Sequence, residues 1–180
     1  MKCSFTLLSF VFFSMLLSAQ DNDQISDAIE LYCGDVISST TLNSTSDQEY
    51  LYWVGINNSV EFCGTSVDTS PGVWYFFNSE NQENIEINMC GSSYDTKLHV
   101  FQDDGLNLIC IGGNDDSDCE SSYLHSKLSF TSQAYIDYYI YVSGYQANEG
   151  DFVLEFNCVQ CADAEACNYD ADAINNDGCI

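Results

Sequence analysis

The sequence predicts an all-β protein built as an antiparallel β-sandwich, and three observations indicate this class. Nine short runs rich in β-branched and aromatic residues follow one another, separated by Gly, Asn, Asp and Ser. No long helical periodicity lies between them, and proline occurs once, at Pro71. Apolar and polar residues alternate in "NIEINMC" and "DYYIYVS". Short strands in series without intervening helices are typical of two packed antiparallel sheets.

The predicted strands lie near residues 35–41, 50–55, 72–78, 84–90, 97–102, 107–112, 127–132, 136–143 and 151–157. Segment 22–31 fits either one helical turn or a lead-in strand. Hydrophobic residues make up 46% of the chain and aromatic residues 14%, which is enough for a core. The tail, 159–180, has too few large apolar residues for a core of its own, so we expect a small disulfide-rich appendage there.

Residues 1–19 have the pattern of a secretory signal peptide. Lys2 precedes an uncharged apolar run at 5–17, and Ala19 stands at a plausible cleavage position. The run is shorter than the roughly 20 residues that span a bilayer. We therefore expect a secreted or cell-surface protein that does not insert into the membrane once the signal is removed.

The charge of the chain excludes some partners. It has 28 acidic residues and three basic ones, for a net charge of −25. Such a chain repels nucleic acid and anionic lipid, and it suits divalent cations. Of its ten cysteines, Cys3 leaves with the signal, and the remaining nine indicate disulfides in an exported protein.

An acidic segment surrounds a predicted hairpin. "QDDG" is a turn signal, and the register that we infer from it places Asp95 opposite Gly113 or Asn114. The oxygen-bearing side chains gathered at this sheet edge are Asp95, Asn114, Asp115 and Asp116. All-oxygen sets of this kind suit Ca²⁺. The alternative is a turn in which the aspartates cap backbone N–H groups, and paired-carboxylate catalysis is the least favoured interpretation.

The same register suggests disulfide pairings. It places Cys90 opposite Cys119, and we favour that bond over its competitor, Cys110–Cys119. Cys33 and Cys63 are then the expected pair in the domain body. If the tail cysteines pair among themselves, Cys110 is left without a partner.

No catalytic motif is apparent: G-x-S-x-G, H-E-x-x-H and a phosphate-binding glycine loop are missing from the sequence. We therefore expect no enzyme activity. The aromatic residues of "YLYWVG", "VWYFF" and "DYYIYVSGY" are mostly expected in the core, although some could form a strip that binds sugar or peptide.

The motifs "GVWY", "GSSYDTKL", "GGNDD", "YYIYVSGY" and "GDFVL" together resemble the bacterial pre-peptidase C-terminal domain, in the variant found in secreted proteins of Bacteroidetes. The resemblance covers residues 22–158. It implies a jelly-roll-like β-sandwich that accompanies secreted enzymes and adhesins and is not itself catalytic. Relatives often carry a cysteine where Ile25 stands, so the usual terminal bridge is in doubt, which could release Cys158 to pair within the tail.

The tail "CADAEACNYDADAINNDGC" is similar to Cys/Asp-rich repeats of marine secreted proteins, here in a partial form. Asp170, Asp172 and Asp177 resemble a second small calcium loop. Together these features predict an exported, non-catalytic module for cell-surface adhesion or substrate attachment, stabilised by Ca²⁺. The alternatives are an accessory domain of a secreted peptidase or hydrolase, and a polysaccharide-binding protein. An extracellular polysaccharide or protein is the expected ligand.

Overall fold

The computed structural model describes residues 20–46, 62–67, 70–120 and 122–159. Its strands are β1 (Ile29–Glu30), β2 (Asp35–Thr40), β3 (Phe62–Cys63), β4 (Thr65–Ser66), β5 (Gly72–Phe77), β6 (Asn84–Asn88), β7 (Thr96–Asp103), β8 (Leu108–Asn114), β9 (Lys127–Thr131), β10 (Tyr138–Gly144) and β11 (Asp151–Val159). Short 3₁₀ turns form at Ile25–Asp27 and Tyr145–Ala147. None of the helical segments in these ranges has the length and apolarity needed to cross a membrane.

Two sheets form the sandwich. One has five strands in the order β1-β5-β10-β7-β8, and the other has four in the order β2-β11-β6-β9. Neighbouring strands are antiparallel except β1, which runs parallel to β5. The short β3–β4 hairpin is a separate two-stranded sheet. The predicted all-β sandwich is therefore confirmed.

The main core lies between the two sheets because alternate residues of each strand point inward. In β6, Ile85 and Ile87 are buried between half-buried polar neighbours. From the other side β5 contributes Phe77, whose ring lies 4.9 Å from that of Phe156 in β11, centroid to centroid. This alternation is the pattern visible in the sequence.

A second apolar cluster covers the outer face of the five-stranded sheet. Trp74 of β5 and Tyr141 of β10 pack against each other with ring centroids 4.5 Å apart and ring planes tilted by 39°, and both are fully buried. Phe101, Leu108 and Cys63 complete this cluster. Most of the large aromatic residues of the predicted ligand-binding strip that the structure describes are therefore core residues.

The predicted strands agree with those observed wherever the structure describes them. The run at 50–55, the signal peptide at 1–19 and the tail from residue 160 onward lie outside the described residues. Segment 22–31 contains both alternatives, since the 3₁₀ turn at Ile25–Asp27 is followed directly by β1. The β3–β4 hairpin was not predicted.

Three disulfides connect the described cysteines: Cys33 with Cys158, Cys63 with Cys110, and Cys90 with Cys119. The favoured Cys90–Cys119 bond is formed, with its Cα atoms 5.5 Å apart. The expected Cys33–Cys63 pair was wrong, as was the expectation that Cys110 is left over.

The reason for the correction is the position of β11. The amide of Gly34 donates a hydrogen bond of 2.8 Å to the carbonyl oxygen of Phe156, which places Cys33 beside Cys158. The terminal bridge is therefore present, and Cys158 is not released to the tail.

The inferred hairpin register was wrong by two to three residues next to the loop and by three to four residues beyond the bulge. Asp103 pairs with Leu108, and the register shifts again at a bulge near Ile111, so that Leu98 pairs with Asn114. The predicted register assumed a shorter loop between the two strands and no bulge. Cys90 is also not on this hairpin, because it follows β6 in the other sheet. The Cys90–Cys119 bond thus crosses between sheets instead of closing a hairpin.

Candidate functional site

An acidic pocket opens at the end of the sandwich where β7 begins and β8 ends. Asp95 directly precedes β7, and Asp115 and Asp116 directly follow β8. Because β7 and β8 are antiparallel neighbours, the start of one lies beside the end of the other. The three carboxylates line one cavity of about 190 Å³, and Leu124 and Tyr145 form its remaining walls.

Asp95 is the residue of the acidic pocket whose charge is least compensated. Its Oδ1 is buried and has no hydrogen-bond partner among the described residues. Burial raises the pKa of Asp95, and the neighbouring charges of Asp116 and Asp115 raise it further, while His125 opposes them. A carboxylate in this setting is stabilised by a proton or by a cation.

Asp115 is held by a side chain far away in the sequence. The hydroxyl of Thr65 in β4 donates a hydrogen bond of 2.9 Å to Asp115 Oδ2. Thr65 is itself buried, with 5% of its surface exposed. One carboxylate oxygen of Asp115 is therefore fixed by the β3–β4 hairpin, while the residue still lines the acidic pocket.

The side chain of Asn114 makes hydrogen bonds within the turn after β8 and does not line the acidic pocket. Its Oδ1 accepts hydrogen bonds from Ser117 Oγ and from the amide of Lys127, both at 3.0 Å. Its Nδ2 donates to the carbonyl oxygen of Asp116 at 2.8 Å. An amide oxygen has two lone pairs, and both are used here. The turn interpretation predicted caps from aspartate side chains, whereas here Asn114 accepts from a backbone N–H group and the carboxylates of Asp115 and Asp116 line the pocket.

His125 is near enough to Asp95 to oppose the rise in the pKa of that carboxyl, and the sequence did not indicate this role. It is 6% exposed, and its Nδ1 has no hydrogen-bond partner in the described part of the chain. Its carbonyl oxygen contacts the sulfur of Cys119 at 3.9 Å. The Cys90–Cys119 bond therefore anchors the loop that carries His125 and Leu124.

Tyr145 is placed by a loop with an unusual backbone. The two residues after it, Gln146 and Ala147, have φ values of 51° and 62°, in the left-handed region that non-glycine residues rarely adopt. Before it, Gly144 has no space for a side chain, since a Cβ there would collide with the backbone of Asn148. The amide of Tyr145 donates to the carbonyl oxygen of Asp95 at 3.0 Å, which fixes this wall to the acidic residues.

The donor set of the acidic pocket fits Ca²⁺, provided that the ion keeps several of its waters. All available donors are oxygens, and the orphaned Oδ1 of Asp95 gains a partner when a cation binds. However, no three His, Cys, Asp or Glu side chains of the described ranges are gathered closely enough to hold a metal ion by themselves. Sites with few protein ligands belong to the weak class, with a Kd of roughly 10⁻⁴–10⁻³ M.

The second predicted calcium loop, at Asp170, Asp172 and Asp177, lies outside the described residues. His99, the other histidine of the chain, is buried and stacks on Phe101 with ring centroids 5.9 Å apart. It therefore belongs to the outer apolar cluster and not to the acidic pocket.

A larger groove of about 460 Å³ lies along β2 and β11. Two of its hydroxyl groups are engaged within the fold: Ser93 donates to the carbonyl oxygen of Asp151 at 2.8 Å, and Thr40 donates to that of Gly150 at 3.1 Å. The groove has neither an exposed aromatic ring nor a group of charges, so the acidic pocket is the better candidate site.

Comparison with known proteins gives one similarity in fold. No family model matches the chain, and no curated protein matches it. Among solved structures, the chain is similar to the pre-peptidase C-terminal domain of a collagenase from Bacillus anthracis, with 14% sequence identity and a TM-score of 0.47. The alignment covers 72% of this chain and 94% of that domain. At this level of similarity, function has to be argued from the site itself.

Proposed function

We propose that this protein is an exported, non-catalytic β-sandwich module that attaches to an extracellular ligand, in cell-surface adhesion or in substrate attachment, and that Ca²⁺ supports it. The observation that carries the proposal is the acidic pocket, where a buried oxygen of Asp95 that no group of the described residues hydrogen-bonds lies beside Asp115 and Asp116. Uncompensated carboxylates at one end of a rigid sandwich are suited to binding a cation or a ligand that brings one.

Export is supported by the covalent structure. Three disulfides among the described residues, Cys33–Cys158, Cys63–Cys110 and Cys90–Cys119, are typical of proteins in oxidising compartments. The apolar segment at residues 5–17 is the signal that would direct the chain there.

In this proposal Asp95, Asp115 and Asp116 contribute carboxylate oxygens to a weak calcium site that several waters complete, because the three side chains are not gathered closely enough to enclose the ion by themselves. The ion supplies positive charge that removes the repulsion among the three carboxylates, so the loops carrying them are stabilised together. It also leaves coordination positions to water, which ligand hydroxyl or carboxylate oxygens can replace.

A polysaccharide ligand is the more specific candidate, because exposed apolar side chains line the acidic pocket or adjoin a lining residue in the sequence. Tyr145 is 39% exposed, Leu124 is 50% exposed and the neighbouring Tyr123 is 72% exposed. Flat aromatic rings stack on the apolar faces of sugars. A protein ligand remains the alternative.

The test is binding of the purified full chain to an array of glycans and extracellular proteins, in Ca²⁺ and in EGTA. We expect binding that needs Ca²⁺, is lost in Asp116→Asn and is reduced in Tyr145→Ala. Glu80→Gln is the matched control, since Glu80 is an exposed acid in the loop between β5 and β6, at the opposite end. Binding that is indifferent to Ca²⁺ and to Asp116→Asn, or cleavage of the bound ligand, contradicts the proposal.

A further inference from the structure

The β3–β4 hairpin is fastened to β8 at adjoining points. Cys63 is bonded to Cys110, with Cα atoms 5.8 Å apart. Gly64, with φ at 75°, and Gly113 approach so closely that a Cβ on either would collide with the backbone of the other strand. Two glycines therefore allow a backbone-to-backbone contact that larger residues would prevent.

The hairpin reaches the acidic pocket from this anchored position. The residue after Gly64 is Thr65, whose hydroxyl donates to Asp115 Oδ2 at 2.9 Å. The residue after that, Ser66, accepts a hydrogen bond of 2.8 Å from Nζ of the buried Lys97. A five-residue hairpin thus connects a disulfide to one carboxylate of the candidate site.

We propose that Thr65 is a positioning residue for the acidic pocket, and that the Cys63–Cys110 disulfide is the latch that keeps Thr65 against Asp115. This inference rests on the proposed function, in which Asp115 is a calcium ligand. Thr65 does not contact the ion. It holds one carboxylate oxygen, and so restricts the orientation of Asp115 before a cation arrives.

The effect on cation affinity follows from the cost of ordering a ligand. Without the Thr65 hydroxyl, the Asp115 carboxylate rotates among several orientations, and binding has to select one of them. Loss of a partner that orients a metal ligand weakens metal affinity by about 10–100-fold. Because the acidic pocket has few protein ligands, we expect an effect near the lower limit, about tenfold.

The test is a calorimetric Ca²⁺ titration of the full chain and its variants. Thr65→Val keeps the shape of the side chain and removes the hydroxyl, so we expect Kd to rise about tenfold. Thr65→Ser keeps the hydroxyl and is expected to restore affinity to within a factor of about two.

The latch is tested by removing the disulfide in Cys63→Ser/Cys110→Ser. The matched control is Cys33→Ser/Cys158→Ser, which removes a disulfide at the opposite end of the sandwich. We expect the first pair to weaken Ca²⁺ binding as Thr65→Val does, and the control pair to leave Kd unchanged. When the Cys63→Ser/Cys110→Ser variant also carries Thr65→Val, we expect no further weakening of Ca²⁺ binding, because both changes act on the contact between Thr65 and Asp115.

A second measurement needs no metal. In EGTA, amide hydrogen exchange at Asp115 and Asp116 is expected to accelerate in Thr65→Val and in the Cys63/Cys110 variant, but not in Thr65→Ser. This readout remains informative if the disulfide variant folds poorly, since Thr65→Val leaves every disulfide in place.

The outcomes separate this inference from the proposed function. If the wild type does not bind Ca²⁺, both are overturned. If the wild type binds Ca²⁺ and Thr65→Val binds it equally well, the positioning role is overturned and the calcium site stands. Equal losses in the two disulfide variants overturn the latch, because they would show an effect of general destabilisation.

Discussion

Asp95 is the residue on which the charge balance of the acidic pocket depends. Burial and two neighbouring carboxylates raise its pKa in the folded protein. The folded state therefore holds this proton more tightly than the unfolded chain does. The stability that Asp95 contributes is present below its unfolded pKa and is lost as the pH rises through its folded pKa.

We expect Asp95→Asn to raise the Tm at neutral pH in EGTA, because it removes one of three adjacent negative charges. The same substitution should lower the Tm in Ca²⁺, since it removes a ligand. Thermal melts in the two buffers measure both effects. A change of the same sign in both buffers contradicts the assignment of Asp95 as a cation ligand.

Part of this site was predictable from sequence, and part was not. Asp95, Asp115 and Asp116 flank two strands of one hairpin, so local pattern was enough to bring them together. Thr65 and Tyr145 come from segments distant in the sequence, and no spacing rule connects them with "GGNDD". Asn114 was predicted as a ligand because its chemistry suits Ca²⁺, but the turn uses both of its acceptor sites.

Most of the structural features that were not predicted from the sequence lie in the short strands. Strands of five or more residues are long enough to be recognised: β6 and β10 were predicted with the help of their alternation, and β5 from its run of β-branched and aromatic residues. The two-residue strands β3 and β4 are too short to show a period. One residue of the register error at β8 has a similar origin, because a single bulged residue leaves no signal in an apolar run.

The contact between the hairpin and β8 gives a prediction at this scale. Gly113→Ala would place a Cβ against the carbonyl oxygen of Cys63 and 2.7 Å from Cδ2 of His99. We expect a loss of about 1–3 kcal/mol in the free energy of unfolding, as for other overpacked sites. Urea titration measures it. Gly91→Ala is the control, since the atoms nearest to its Cβ belong to the Val153 side chain, at 3.2 Å and beyond, and an equal loss there contradicts the close approach.

At the scale of the whole molecule, the two sheets depend on one shared core. Phe156 is fully buried between them, against Phe77 and its neighbours. We expect Phe156→Ala to cost about 3–5 kcal/mol of stability, from lost burial and the cavity left behind. Val36 is 66% exposed, so Val36→Ala is the control, with a change of at most about 0.5 kcal/mol. Equal effects in urea titrations contradict the sandwich core.

Charge also acts on the whole molecule. With 28 acidic and three basic residues, the negative charges of the folded protein repel one another, and any cation relieves this repulsion to some degree. A calcium effect therefore has to exceed that of ionic strength alone. The comparison that matters is between Ca²⁺ and an equal ionic strength of NaCl.

The most direct test of a calcium-supported module is the thermal melt of the wild type in Ca²⁺, compared with EGTA at matched ionic strength. At a free concentration of a hundred times Kd, a bound ligand adds about 2.7 kcal/mol. We predict a rise in Tm of roughly 5–10 °C, which Asp95→Ala and Asp116→Ala abolish and Glu80→Gln keeps. If the Tm of the wild type does not rise in Ca²⁺, the calcium-supported module is contradicted. If the rise survives in both aspartate variants, the ion binds outside the acidic pocket.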